Sequence, residues 1–187
     1  QAASLLAIAL LAALPAAAQG RSQDNPFFQA RKTPFQAPAF DRIRNEHYLP
    51  AFREGMKREQ AEIDAIAADR RAPTFANTIA AMDRSGLFLS DVSAVFYARL
   101  GAETNPELQA IAREVSPLLS AHQDNISLNE KLFARVRAVY DKRAGLKLGP
   151  EEAYLLENSY KGFIRSGALL DAAGKARLRE LNAELSM

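Results

Sequence analysis

His47 and His122 are the only imidazoles that the chain offers for metal binding or acid–base chemistry, and it has no thiol. Without cysteine there is no disulfide, thiolate metal site, cysteine nucleophile or lipid anchor on a cysteine. A helical zinc site of the peptidase kind needs two histidines at i and i+4, which share a helix face, with a glutamate beside the first as base. Glu46-His47-Tyr48 has no second histidine four residues on, and His122-Gln123-Asp124 supplies none either. Each histidine is therefore read as a capping or interhelical hydrogen-bonding group. Paired carboxylates occur at Glu59 and Glu62, at Glu151-Glu152, and at Glu180 and Glu184; a solvated face on a charged helix accounts for them. Ser85-Gly86 and Ser166-Gly167 lack both the flanking glycine and the strand-turn-helix setting of a hydrolase nucleophile. The nine glycines are scattered and form no phosphate cradle. Spacing alone thus assigns no catalytic, cofactor-binding or metal-ligating residue.

The elements that would position any chemistry are helices. With 187 residues and 48% hydrophobic content the chain can build a real core. Its 24 Lys+Arg and 22 Asp+Glu leave a formal charge of +2, interspersed rather than blocked. Arg31-Lys32, Arg70-Arg71 and Lys142-Arg143 stand at element ends as solvated termini, and no basic stripe interleaved with aromatics points to nucleic acid.

Residues 1 to 18 carry an uncharged apolar run from Ala2 to Leu14, then Pro15 and Ala16-Ala17-Ala18. This is the pattern of a secretory signal peptide, too short for a span of about 20 residues, so export to the periplasm or beyond, with no stable membrane anchor, is expected. The missing initiator Met and basic n-region place the start of the sequence inside a longer reading frame. Residues 19 to 40, with Pro26, Pro34 and Pro38, read as an extended lead-in pinned down by burial of Phe27, Phe28, Phe35 and Phe40.

From residue 41 to 187 the pattern is helical. Leu49, Phe52, Met56, Ile63 and Ile66 fall on one stripe of a first helix that tolerates Pro50 in its first turn. Ile79, Met82, Leu89, Val92, Val95 and Phe96 mark a second, in which Ser85-Gly86 predicts either a bend or, preferentially, close packing of another helix. Leu108, Ile111, Val115, Leu118 and Leu119 mark a third, opened by Asn105-Pro106 and kinked at Pro117. Leu132, Phe133, Val136, Val139 and Tyr140, then Tyr154, Leu155, Tyr160, Phe163 and Ile164, mark the next two. A last helix carries Leu178, Leu181 and Leu185 and is still running when the sequence stops, the signature of truncation. The expected fold is all-α, with five or six helices near 44–69, 76–101, 106–126, 130–143, 151–166 and 172–187, and no strand.

The residues Phe40-Asp41, Ile43, His47-Tyr48, Pro50-Ala51-Phe52, Gly55-Met56 and Ala61-Glu62-Ile63 carry a family resemblance. It continues through Pro73-Thr74-Phe75, Asn77-Thr78-Ile79, Thr104-Asn105, His122 with Asp124, Arg135-Val136 and Leu155-Leu156-Glu157. In these runs the chain resembles the start of the thimet-oligopeptidase-like zinc metallopeptidases, most of all their dipeptidyl carboxypeptidase branch. The resemblance covers about residues 25 to 187. It implies the amino-terminal helical region of an exported peptidase that removes C-terminal dipeptides, forming wall or lid of a substrate channel that admits short peptides. It also implies a catalytic zinc site, an HExxH helix plus a downstream glutamate, in a C-terminal catalytic region for which this sequence has no counterpart residues. The chain itself is then expected to bind no zinc and to be inactive alone. Two alternatives stand beside this: an exported helical binding module, and an endopeptidase resembling oligopeptidase A.

Overall fold

A computed structural model describes residues 24–187, so the signal-peptide expectation lies outside the described residues. Two compact units divide after Ile43. In the first, Asn25 Oδ1 accepts the Phe27 N–H at 3.1 Å and opens a short turn at Pro26–Phe28. A second turn, Pro34–Gln36, holds Phe35 and Gln36 at φ +55° and +56°, left-handed backbone for residues bearing a Cβ. Phe27 is buried, but Phe35 is wholly exposed and Phe40 nearly half exposed. Burial of aromatic side chains therefore holds at Phe27 and fails at Phe35 and Phe40.

The second unit contains six helices of twelve residues or more: α1 Tyr48–Ala68, α2 Leu87–Ala102, α3 Pro106–Ser127, α4 Glu130–Asp141, α5 Pro150–Arg165 and α6 Ala172–Leu185. No strand occurs among the described residues, and the all-α expectation stands. The helix starts follow local chemistry. Asn105 and Asn129 accept the Leu108 and Leu132 N–H groups at 2.9 and 3.0 Å, Asp171 accepts that of Gly174 at 2.7 Å, and Pro106 and Pro150 occupy first-turn positions that need no donor. The helix α3 runs through Pro117 to Ser127. At the far end α6 closes at Leu185, short of residue 187, where the Ser186 N–H returns to the Asn182 carbonyl at 3.1 Å.

The expected single helix over 76–101 is instead two pieces. A π turn, Phe75–Ile79, runs into a four-residue helix, Ala80–Asp83, and Gly86 at φ +70° breaks the path before α2. What approaches the missing side chain is the Glu59 carboxylate, 2.3 Å from where a Cβ would stand, not another helix backbone. Close helix packing is found at Gly55 instead, where a Cβ would lie 3.1 Å from the Leu89 Cα. The buried face of α1 is accordingly Tyr48, Ala51, Phe52, Gly55 and Ile63, turned from the expected stripe so that Leu49 and Met56 sit at its margin. Small residues are silent in a hydrophobic count, yet here they let α2 come close.

The helix α1 is central, packing against α2, α3 and α4. Near its start the Tyr48 and Phe52 rings meet Phe96 edge-on at 5.0 and 5.3 Å. Toward its end Ile63 joins a core with Ile79, Leu132, Val136, Val139, Leu156 and Phe163. Between α4 and α5 the Tyr140 and Tyr160 rings stack at 3.8 Å and 9°, Tyr160 continues onto Phe133, and the Arg143 guanidinium caps Tyr140 at 4.0 Å.

Candidate functional site

Two polar nodes lie inside the helical unit. At the first, Arg135 lies on the apolar face of α4, three residues after Leu132 and four before Val139, and is 7% exposed. Its guanidinium donates to the carbonyls of Asp69 and Arg71 (3.1 Å for the latter), to Asn77 Oδ1 at 3.2 Å and to Thr78 Oγ1 at 3.3 Å. Asn77 and Thr74 hold each other in a reciprocal cap, and Asn77 Nδ2 reaches the Ala72 carbonyl at 3.0 Å. One buried cation thus fixes the whole crossing from α1 to the π turn, satisfying backbone groups that a proline-containing loop cannot pair with itself.

Asp69 completes this node. Its carboxylate accepts the Arg71 guanidinium at 2.8 Å and the Arg71 N–H at 2.9 Å, which hold the Asp69 carboxyl at about 2 against an ordinary 3.8. A depressed carboxyl contributes stability above its unfolded value and loses it as pH falls through the folded one. The thermal midpoint of the chain should therefore fall between about pH 4 and pH 2, and Asp69→Asn should flatten that limb. An equally steep limb in the variant would contradict the assignment. The groove beside the node is lined by Ala65, Ile66, Asp69, Arg71, Ala81 and Arg84, and Asp69 and Arg71, its facing charges, already satisfy each other.

At the second node His122, 8% exposed, places Nε2 2.8 Å from Glu59 Oε2 and ties α3 to α1. Its neighbour in α1, Glu62, accepts the Gly86 N–H at 2.9 Å. Glu62 thus holds the break before α2 while Glu59 pairs with His122, so Glu59 does not belong to the solvated face expected of it. The other histidine accepts the Arg44 N–H on Nδ1 at 2.9 Å, and burial pushes the His47 imidazole down in pKa, with Glu46 partly opposing it. A neutral ring accepting a backbone proton is consistent with that direction. Both histidines thus do what the sequence reading assigned, one as a cap and one as an interhelical bond. The remaining carboxylate pairs act locally: Glu152 accepts the Gly149 N–H at 2.9 Å and Glu180 pairs with Arg177 at 2.8 Å.

The donor set does not fit a zinc ion. His122 faces a single carboxylate, His47 is turned to backbone, and no group of three His, Asp or Glu side chains converges among the described residues. No helix among them is long and apolar enough to cross a membrane. The sequence reading missed Arg135, although a lone arginine in register with Leu132 and Val139 was the visible signal. His122 likewise lies one heptad beyond Val115, itself one heptad beyond Leu108, all three being buried. Leu118, counted with that stripe, is 37% exposed.

The chain is 45% identical over 160 residues to a dipeptidyl carboxypeptidase of Escherichia coli, a match covering 86% of the chain and 24% of that protein. It is 44% identical to the dipeptidyl carboxypeptidase of Salmonella typhimurium over the same number of residues, again 86% of the chain and 24% of the relative. Oligopeptidase A of Escherichia coli matches at 25% over 158 residues, 82% of the chain and 23% of that protein. No protein-family model matches. The chain belongs to the thimet-oligopeptidase-like peptidase family. Within it the chain is more similar to the dipeptidyl carboxypeptidases than to oligopeptidase A, and it spans about a quarter of the length of these curated relatives.

Proposed function

We propose that the chain is the amino-terminal helical part of an exported zinc-dependent peptidyl-dipeptidase, an enzyme that removes dipeptides from the C-termini of oligopeptides. The observation that carries this is the 45% identity with a dipeptidyl carboxypeptidase, sustained over 160 residues. In this reading the helices form wall or lid of a substrate channel and limit access to short, unstructured peptides. Zinc and the hydrolytic groups belong to a C-terminal catalytic region, and the buried nodes at Arg135 and His122 keep the wall rigid rather than touching substrate. The match to oligopeptidase A supports a second reading, internal cleavage of peptides by the same architecture.

The test is zinc content after dialysis and product analysis on a short peptide blocked at its amino end. It is run on the 187-residue chain and on the product of the whole reading frame. The whole product should hold about one zinc per chain, as a three-ligand catalytic site requires, and should release C-terminal dipeptide, while the 187-residue chain does neither. Internal fragments instead of dipeptide would favour the second reading. Stoichiometric zinc with turnover in the 187-residue chain would overturn both.

A further inference from the structure

His47 stands where the chain passes from one compact unit to the next. The division falls after Ile43, and α1 begins at Tyr48 with His47 as its N-cap residue. The turn Asn45–His47 between them is closed reciprocally. The His47 N–H donates to the Arg44 carbonyl at 3.1 Å, and the Arg44 N–H donates to His47 Nδ1 at 2.9 Å. Ile43 before the turn and Tyr48 after it are buried, and the imidazole side chain itself is 16% exposed. From α3, Glu107 accepts Asn45 Nδ2 at 2.7 Å and pins the outer edge of the turn.

We propose that His47 is a pH-operated latch at the junction of the two units, closed as the neutral ring and open as the imidazolium. An imidazole can accept the Arg44 N–H only while Nδ1 carries no proton. Protonation sets a second N–H against the first across 2.9 Å. It also places a full positive charge at the N-cap of α1, the positive end of the helix dipole. Glu46 opposes this from 4.0 Å, but its carboxylate is 72% exposed and screened. Burial outweighs it and pushes the imidazole below its ordinary 6.5, with Glu46 pulling upward and Arg44 adding to the depression. The packed helices bring Glu107 of α3, bonded to Asn45, and Arg99 and Glu103 of α2, which act on the Tyr48 hydroxyl. A histidine held down in this way contributes stability above its unfolded value and loses it as pH falls through the folded one. The latch therefore begins to open near pH 6.5, well above the range in which Asp69 responds. Once open, it leaves the Arg44 N–H to water, and the turn keeps only its backbone bond.

The experiment is an NMR titration of the 187-residue chain between about pH 8 and about pH 4.5, a range that brackets an imidazole. It follows the ring C–H signals together with the exchange protection of the Arg44 amide, taken relative to its intrinsic rate at each pH. The chain has only two histidines, so the signal lost in His47→Asn assigns the ring. The His47 ring should titrate below 6.5. Arg44 protection should fall about 10-fold with the same midpoint, as one hydrogen bond is lost and a cation meets the dipole, while the Ile63 amide within α1 stays protected. His47→Asn, whose Oδ1 accepts without titrating, should keep Arg44 protected throughout, and His47→Ala should leave it unprotected at every pH. A ring titrating at or above 6.5, Arg44 protection indifferent to pH, or a midpoint apart from that of the ring would overturn the proposal. So would the same fall in His47→Asn, which would assign the response to a carboxylate. The two wild-type midpoints decide the matter even if the asparagine variant does not fold.

Discussion

Replacing Arg135 by alanine should lower the stability of the helical unit by about 3–4 kcal/mol, the cost expected when a buried charge network loses its central partner. For a chain of this length that is a fall in thermal midpoint of roughly 10 °C. The guanidinium reaches two backbone carbonyls, Asn77 and Thr78, and all of them lose a donor at once while α4 and α5 still pack over the site. Two further variants separate lost packing from lost hydrogen bonds. Arg135→Met keeps most of the stem and should remain nearly as destabilised as alanine, whereas Arg135→Lys keeps a cation with fewer, differently directed donors and should recover part of the loss. A methionine variant as stable as wild type would show that filling the space, not satisfying the carbonyls, is what the fold requires.

The second large effect is expected at Gly86. Gly86→Ala places a Cβ on a residue at φ +70° and directs it into the Glu59 carboxylate. The left-handed conformation costs an L-residue about 1–2 kcal/mol. The carboxylate is the far end of a flexible side chain and can swing away, but doing so gives up the contact with His122, worth roughly another 1 kcal/mol. The sum is about 2–3 kcal/mol. Because the His122 contact can be lost only once, the Gly86→Ala/Glu59→Ala pair should cost less than the two single changes added together. Strict additivity in urea midpoints at constant slope would show that Glu59 and Gly86 are energetically independent despite their proximity.

Much of the architecture is legible in the sequence because it rests on signals that act within one turn. Asn105-Pro106, Asn129 and Gly149-Pro150 start helices through their own side chains or fixed φ, and the structure begins α3, α4 and α5 there. What is not legible depends on partners far along the chain. Residues 76–101 read as one helix since nothing local at Gly86 distinguishes a bent helix from a left-handed stop; the stop is held by Glu62 of α1, which accepts the Gly86 N–H from 24 residues away. The tilt of α1's buried face follows from Ala51 and Gly55, whose contribution is the absence of bulk. Phe35 reads as an anchor by type, yet the two left-handed residues of its turn leave the ring exposed. The polar nodes were visible only as anomalies: an arginine and a histidine in positions where the stripe called for leucine.

The stacked pair Tyr140 and Tyr160 has an optical consequence. The chain contains no tryptophan and only five tyrosines, so its near-ultraviolet spectrum is written by tyrosine and phenylalanine alone. Two phenol rings 3.8 Å apart and within 9° of parallel are close enough for their transitions to couple. The seam between α4 and α5 therefore carries its own chiroptical reporter. Loosening of that seam can be followed against the intact helical signal at shorter wavelength, with no label introduced.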